Sequence, residues 1–74
     1  TEFILQESSA AVRKAVGDLP EIYRTVIVLR EYAGLNYGEI AKVLKISESN
    51  VKVRMHRARK ELGAMLDREE VNVP

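Results

Sequence analysis

The 74-residue chain has no cysteine, no tryptophan, one phenylalanine and one histidine. Without cysteine it holds neither a disulfide framework nor a thiolate zinc site, in keeping with a reducing, cytoplasmic setting. His56, its lone histidine, has no second ligand at helical spacing and no nucleophile beside it. It is therefore neither a metal site nor a catalytic base. No apolar run approaches the roughly 20 residues of a membrane span. The N-terminus lacks the basic, apolar, small-residue order of a signal peptide. Gly-rich phosphate loops, carboxylates paired on one face, internal repeats, low-complexity segments and strand patterns are missing as well. Taken together, these absences point to a protein that is not an enzyme and uses no cofactor or metal.

What is present is ordinary globular material: 46% hydrophobic and 31% charged residues, too apolar for disorder. A chain this short buries roughly 60% of its unfolded surface, so one all-α domain built from local contacts is the economical solution. Its formal charge of +1 says nothing about partners. The distribution does. From Lys45 to Lys60 there are six Lys/Arg and one Glu, giving +5, against six Lys/Arg and ten Asp/Glu elsewhere, giving −4. A clustered basic stretch of this kind is an electrostatic footprint for nucleic acid.

The stretch Asn36 to Leu66 reads as a helix-turn-helix. Asn36 caps a short helix, and Glu39 follows at capping-box spacing. Tyr37, Ile40, Ala41 and Leu44 recur at helical period, with Ala41 small enough for a second helix to approach. Lys45-Ile46 makes the turn, Ile46 being its apolar plug. Ser47 caps the next helix, and Glu48 suits that helix's positive terminus. At about 100° per residue, Val51, Met55, Ala58, Leu62 and Leu66 form one stripe. Ser49, Val53, His56, Arg57 and Lys60 lie opposite, with Asn50 and Lys52 on the flanks. A buried stripe backed by a basic, hydrogen-bonding face suits a helix that rests on a domain and reaches into a DNA groove.

Two further helices precede it. Thr1 to Val16 is expected to be helical, with Leu5, Ser8, Val12, Ala15 and Val16 on a narrow face and Gly17-Asp18 as the break. Phe3 and Ile4 are unusually apolar for a terminus and suggest either a longer parent chain or a surface that meets a partner. Pro20 suits the first turn of the second helix, Ile22 to Tyr32. There Ile22, Val26, Leu29 and Ala33 form a stripe while Tyr23, Ile27 and Val28 spill onto other faces. Gly34 supplies the stop. The expectation is a single domain over residues 1–74, four helices with no wing, its core about 8–66 and a flexible acidic tail over 67–74.

Several segments resemble region 4 of bacterial sigma-70 family sigma factors, in particular the extracytoplasmic-function (ECF) group. They are Leu19-Pro20-Glu21, Val28-Leu29-Arg30-Glu31, Gly34-Leu35-Asn36-Tyr37-Gly38-Glu39-Ile40-Ala41, and Val51 through Leu62. The resemblance covers roughly residues 10 to 66 and implies the C-terminal domain of a longer protein. It further implies recognition of the promoter −35 element in the major groove and docking to the RNA polymerase β-flap, and leaves open whether an anti-sigma factor binds. Carried over by position, the DNA-contacting residues are Ser47, Ser49, Asn50, Lys52, Val53 and Arg57, with Arg30 near a phosphate. The family often has proline at the position of Ser47 and Gly-Thr at Ser49-Asn50. This chain departs at both, and Asn50 could instead form a bidentate contact to adenine.

Each assignment has a plainer competitor. A charge run is usually a solvated face, but this one is single-signed and adjoins a helix-turn-helix cap. Arg54 and Arg59 flank the stripe, which suits phosphates or intramolecular acids better than bases. Val53 has no packing reason opposite the core and would meet a thymine methyl, though single exposed valines are common. Arg30 could equally serve its own helix C-terminus. Tyr23, Ile27 and Val28 are mostly core residues or else part of a groove for a partner helix. Two other functions compete. One is a LuxR-type response-regulator output domain, which would normally carry threonine at the position of Asn50. The other is a sigma-like module that only binds an anti-sigma factor and would not need the basic face.

Overall fold

A computed structural model describes the backbone of residues 10–71 and side chains through residue 68. Within these residues there are four helices and no strand: α1 (Ala10–Asp18), α2 (Glu21–Ile27), α3 (Tyr37–Leu44) and α4 (Glu48–Val71). A π-helical turn, Val28–Tyr32, extends α2. Phe3, Ile4, Leu5 and Ser8 lie outside the described residues.

Helix α1 runs through Gly17 and Asp18 rather than breaking there. An i,i+4 pair, Lys14 Nζ to Asp18 Oδ2 at 3.2 Å, spans its last turn, and Arg24 Nη1 donates to the Gly17 and Leu19 carbonyls at 3.2 Å each. The break falls at Leu19 because the ring of Pro20 disfavours helical backbone in the residue before it. Pro20 itself takes the cap position of α2, one place before the first turn.

The face that α2 buries differs from the expected stripe. Val26, Ile27 and Glu31 are buried, whereas Ile22 is 51% exposed and Ala33 is exposed. A helix apolar nearly all round carries little periodic information about which side faces the core. Its end is also π-helical: the Ala33 N–H donates to the Val28 carbonyl at 3.0 Å, five residues back. Gly34, at φ +77, adopts the left-handed backbone that glycine takes without strain. The chain then turns so that the Leu35 N–H reaches the Leu29 carbonyl at 3.0 Å.

Both signals at the start of α3 are present. The Glu39 N–H donates to Asn36 Oδ1, and the Asn36 N–H donates to Glu39 Oε1, each at 2.8 Å. At the other end Lys45 adopts φ 60, ψ 44 and donates its N–H to the Ala41 carbonyl. Ile46 packs against the core beneath the turn. Ser47 Oγ accepts from the Asn50 N–H at 3.0 Å, starting α4.

Helix α4 has 24 residues, roughly 36 Å at 1.5 Å per residue, and contacts α1, α2 and α3. Val51, Met55, Ala58 and Leu62 are buried on its inner stripe, together with Ala15, Val16, Leu19, Val26, Ile27 and Ile40. Met65 and Leu66 pack partly against this cluster. Each large aliphatic side chain so buried contributes about 1.5–3 kcal/mol. The helix does not stop at Leu66: it continues to Val71, where the expectation had an irregular tail. Backbone hydrogen bonding extends it past Gly63, and Arg68 in the last turn suits the negative C-terminal dipole.

Candidate nucleic-acid interface

The helix-turn-helix comprises α3, the Lys45–Ser47 turn and the first half of α4. Because Val51, Met55 and Ala58 face inward, the opposite side is fixed. Ser49, Asn50, Lys52, Val53, His56, Arg57 and Lys60 are all exposed. Val53 is 45% exposed, an apolar residue with no core to pack on. Arg54 is half-buried at the edge of the stripe. Ser47 is exposed, and its hydroxyl already accepts the cap bond from the Asn50 N–H. Among the described residues, Lys52, Arg54, Arg57 and Lys60 form no ion pair within the domain. Their charge is uncompensated on one face, which raises the local potential felt by an approaching anion.

Arg30 is placed differently from the α4 residues. It sits half-buried at the corner between the π-turn and α3, with Nη1 donating to the Leu35 carbonyl at 3.1 Å. Its guanidinium carbon lies 5.3 Å from the centroid of the Tyr37 ring, and its Nε has no partner among the described residues. Together with Asn36, Tyr37, Gly38 and Glu48 it lines a shallow notch where the first turns of α3 and α4 meet. The structure thus brings Arg30 beside the start of α4, although one donor is already committed to holding the corner. Glu48, in that same notch, is the one acid in the otherwise basic stretch.

A family profile described as sigma-70, region 4 matches residues 9–62. The chain belongs to this family. It is 38% identical over 60 residues to the RNA polymerase sigma-H factor of Pseudomonas aeruginosa, covering 81% of this chain and 31% of that protein. To the ECF RNA polymerase sigma factor SigW of Bacillus subtilis it is 40% identical over 60 residues, covering 81% and 32%. The ECF RNA polymerase sigma-E factor of Haemophilus influenzae is 36% identical over 58 residues, covering 78% and 31%. These similarities place it with the ECF group, and it spans about a third of the length of each of these curated relatives. No solved structure matches.

Two features of this region 4 domain depart from the sequence expectations. Ile27 is fully buried and is a core residue, so it cannot contribute directly to a docking surface. Tyr23 is half-buried against the same core, while Val28 is exposed. The apolar surface that α2 presents is instead Ile22, Val28 and Tyr32. The second departure is Glu31, a buried acid that the sequence reading passed over. Its Oε2 accepts from Arg59 Nη2 at 3.4 Å. Glu31 lies four residues after Ile27, on the same helical face, but the burial of Ile27 was itself not legible in the sequence. Arg59 was expected to suit a phosphate or an intramolecular acid, and within the domain it meets the acid Glu31. No cluster of three or more metal-binding side chains occurs among the described residues. None of the described helices is long and apolar enough to cross a membrane.

Proposed function

We propose that this domain reads the −35 element of promoters for an ECF sigma factor, directing RNA polymerase to initiate transcription in the bacterial cytoplasm. The observation that carries this reading is the uncompensated, exposed basic face of α4 directly opposite its buried stripe. The N-terminal half of α4 enters the major groove, a width that admits one α-helix. Asn50, Lys52, Val53 and Arg57 read or flank bases, and Ser49 joins them at the helix start. Arg30, Arg54 and the backbone amides near Ser47 hold phosphates. Phosphate contacts supply affinity and its salt dependence, while base contacts supply choice. The domain performs no chemistry of its own. Docking to the polymerase β-flap falls to the exposed apolar residues of α2, Val28 with Ile22 and Tyr32, and an anti-sigma factor would compete for the same surface.

The test is a titration of the isotope-labelled domain with a −35-like duplex and a scrambled duplex at two salt concentrations, followed by backbone amide shifts. Shifts concentrated over 47–57 and around Arg30, larger for the matched duplex and weakened by salt, are the expected result. No shift in those segments with either duplex refutes DNA reading by this domain. Arg57→Ala should lose about 1–3 kcal/mol on the matched duplex if the guanidinium is bidentate to guanine. Equal losses on both duplexes would make Arg57 a phosphate contact instead.

A further inference from the structure

We infer that Glu31, acting through Arg59, is a positioning residue for promoter reading: within the placement that the buried stripe imposes, it holds the final rotation of α4 about its own axis. This rests on the DNA-reading proposal above. The Glu31 side chain is 1% exposed, whereas that of Arg59 is 46% exposed. One carboxylate oxygen accepts from Arg59 Nη2 at 3.4 Å, and the other, Oε1, has no partner among the described residues. Burying a carboxylate with so few partners is unfavourable. A well-packed apolar pair of similar volume would serve stability as well or better. Stability therefore does not account for the acid. What an ion pair offers that an apolar pair does not is a direction, because Arg59 reaches Glu31 over only a limited range of relative placements of the two helices.

The location of the pair gives that direction a consequence. Glu31 lies in the π-helical turn of α2, and its neighbour Arg30 ties the same turn to α3 through the Leu35 carbonyl and the Tyr37 ring. One turn thus holds α3 with Arg30 and α4 with Glu31, gripping both helices of the helix-turn-helix. Arg59 is two residues beyond Arg57, so its tether acts within the reading half of α4. A roll of about 20° moves a point about 6 Å from a helix axis by roughly 2 Å. Recognition geometry tolerates only about 0.5 Å.

The experiment separates placement from stability. Thermal melts and fluorescence-anisotropy titrations with matched and scrambled duplexes at one salt concentration compare the wild-type chain with the double variant Glu31→Met/Arg59→Met and with Glu31→Gln. The double variant is expected to melt within a few degrees of wild type while its matched-to-scrambled affinity ratio falls about tenfold. Its scrambled-duplex affinity should drop only slightly, through loss of one cation. Glu31→Gln, which keeps the size and an acceptor, is expected to lose about threefold of the ratio and covers the case in which the double variant fails to fold. A folded variant of either kind that retains the wild-type ratio overturns the inference alone. A wild-type chain that does not prefer the matched duplex overturns the DNA-reading proposal and this inference with it.

Discussion

Lys45 offers a prediction whose magnitude follows from one pair of dihedral angles. It is the single non-glycine residue with positive φ among the described residues, at φ 60, ψ 44. For a residue with a Cβ this conformation costs roughly 1–2 kcal/mol. Lys45→Gly removes that strain, while the greater freedom of glycine in the unfolded chain returns about 0.4–1 kcal/mol. The net gain lies between about 0 and 1.6 kcal/mol, centred near 0.8 kcal/mol. The helix-ending hydrogen bonds are made by the backbone N–H groups of Lys45 and Ile46 to the Ala41 carbonyl, so both survive the change. For a domain of this size 1 kcal/mol moves Tm by about 4–8 °C, and the central value corresponds to a rise of about 3–6 °C. Circular dichroism melts read it directly. Two companion variants guard the interpretation. Lys45→Asn should gain less, since asparagine tolerates the left-handed region better than most residues. Lys45→Ala removes the same charge but keeps the Cβ, and should change little. If Lys45→Ala stabilises as much as Lys45→Gly, relief of charge repulsion is the cause and the backbone argument is refuted. A lowered Tm in Lys45→Gly refutes it equally.

Two other substitutions test the local readings. Asn36→Ala should cost about 1 kcal/mol by removing the N-cap acceptor, and hydrogen exchange should show faster loss of protection at the Glu39 amide. Unaltered exchange there would mean the cap bond is not formed in solution. Gly63→Ala should stabilise α4 by about 0.5–1 kcal/mol, because Gly63 is exposed mid-helix with nothing within 4 Å of an added Cβ. A loss of stability in urea melts would refute this argument from helix propensity.

The parts legible in sequence were those governed by short-range chemistry. Asn36 with Glu39 and Ser47 with Asn50 are caps whose partners lie three residues away, so spacing alone identifies them. The face of α4 was legible because its apolar residues are few and regularly spaced, leaving one stripe. In α2 the opposite holds. Tyr23, Val26, Ile27, Val28 and Leu29 offer several competing faces, and only the position of α4 decides that Ile27 goes inside and Ile22 outside. Glu31 was missed for a related reason: an acid among apolar residues reads as solvated until its partner, 28 residues away, is placed. The end of α4 was misplaced because Gly63 and the acidic residues after Leu66 are unfavourable signals that do not suffice to stop a long, packed helix.

On the proposed reading, stability and recognition run along opposite sides of the same helix, and this determines how the domain can vary. Val51, Met55, Ala58 and Leu62 hold α4 to the other helices and are buried. Ser49, Asn50, Lys52, Val53 and Arg57 touch nothing that the fold needs apart from the cap bond of the Asn50 backbone N–H to Ser47. Exposed substitutions away from caps and packed sites usually change stability by no more than about 0.5 kcal/mol. The exposed side chains can therefore change while the scaffold stays intact, and under the DNA-reading proposal the preferred sequence changes with them. Arg30 and Glu31 are the exception. They tie the π-helical turn to the start of α3 and to α4, so under the positioning proposal a substitution of Glu31 alters reading without altering any residue that meets a base.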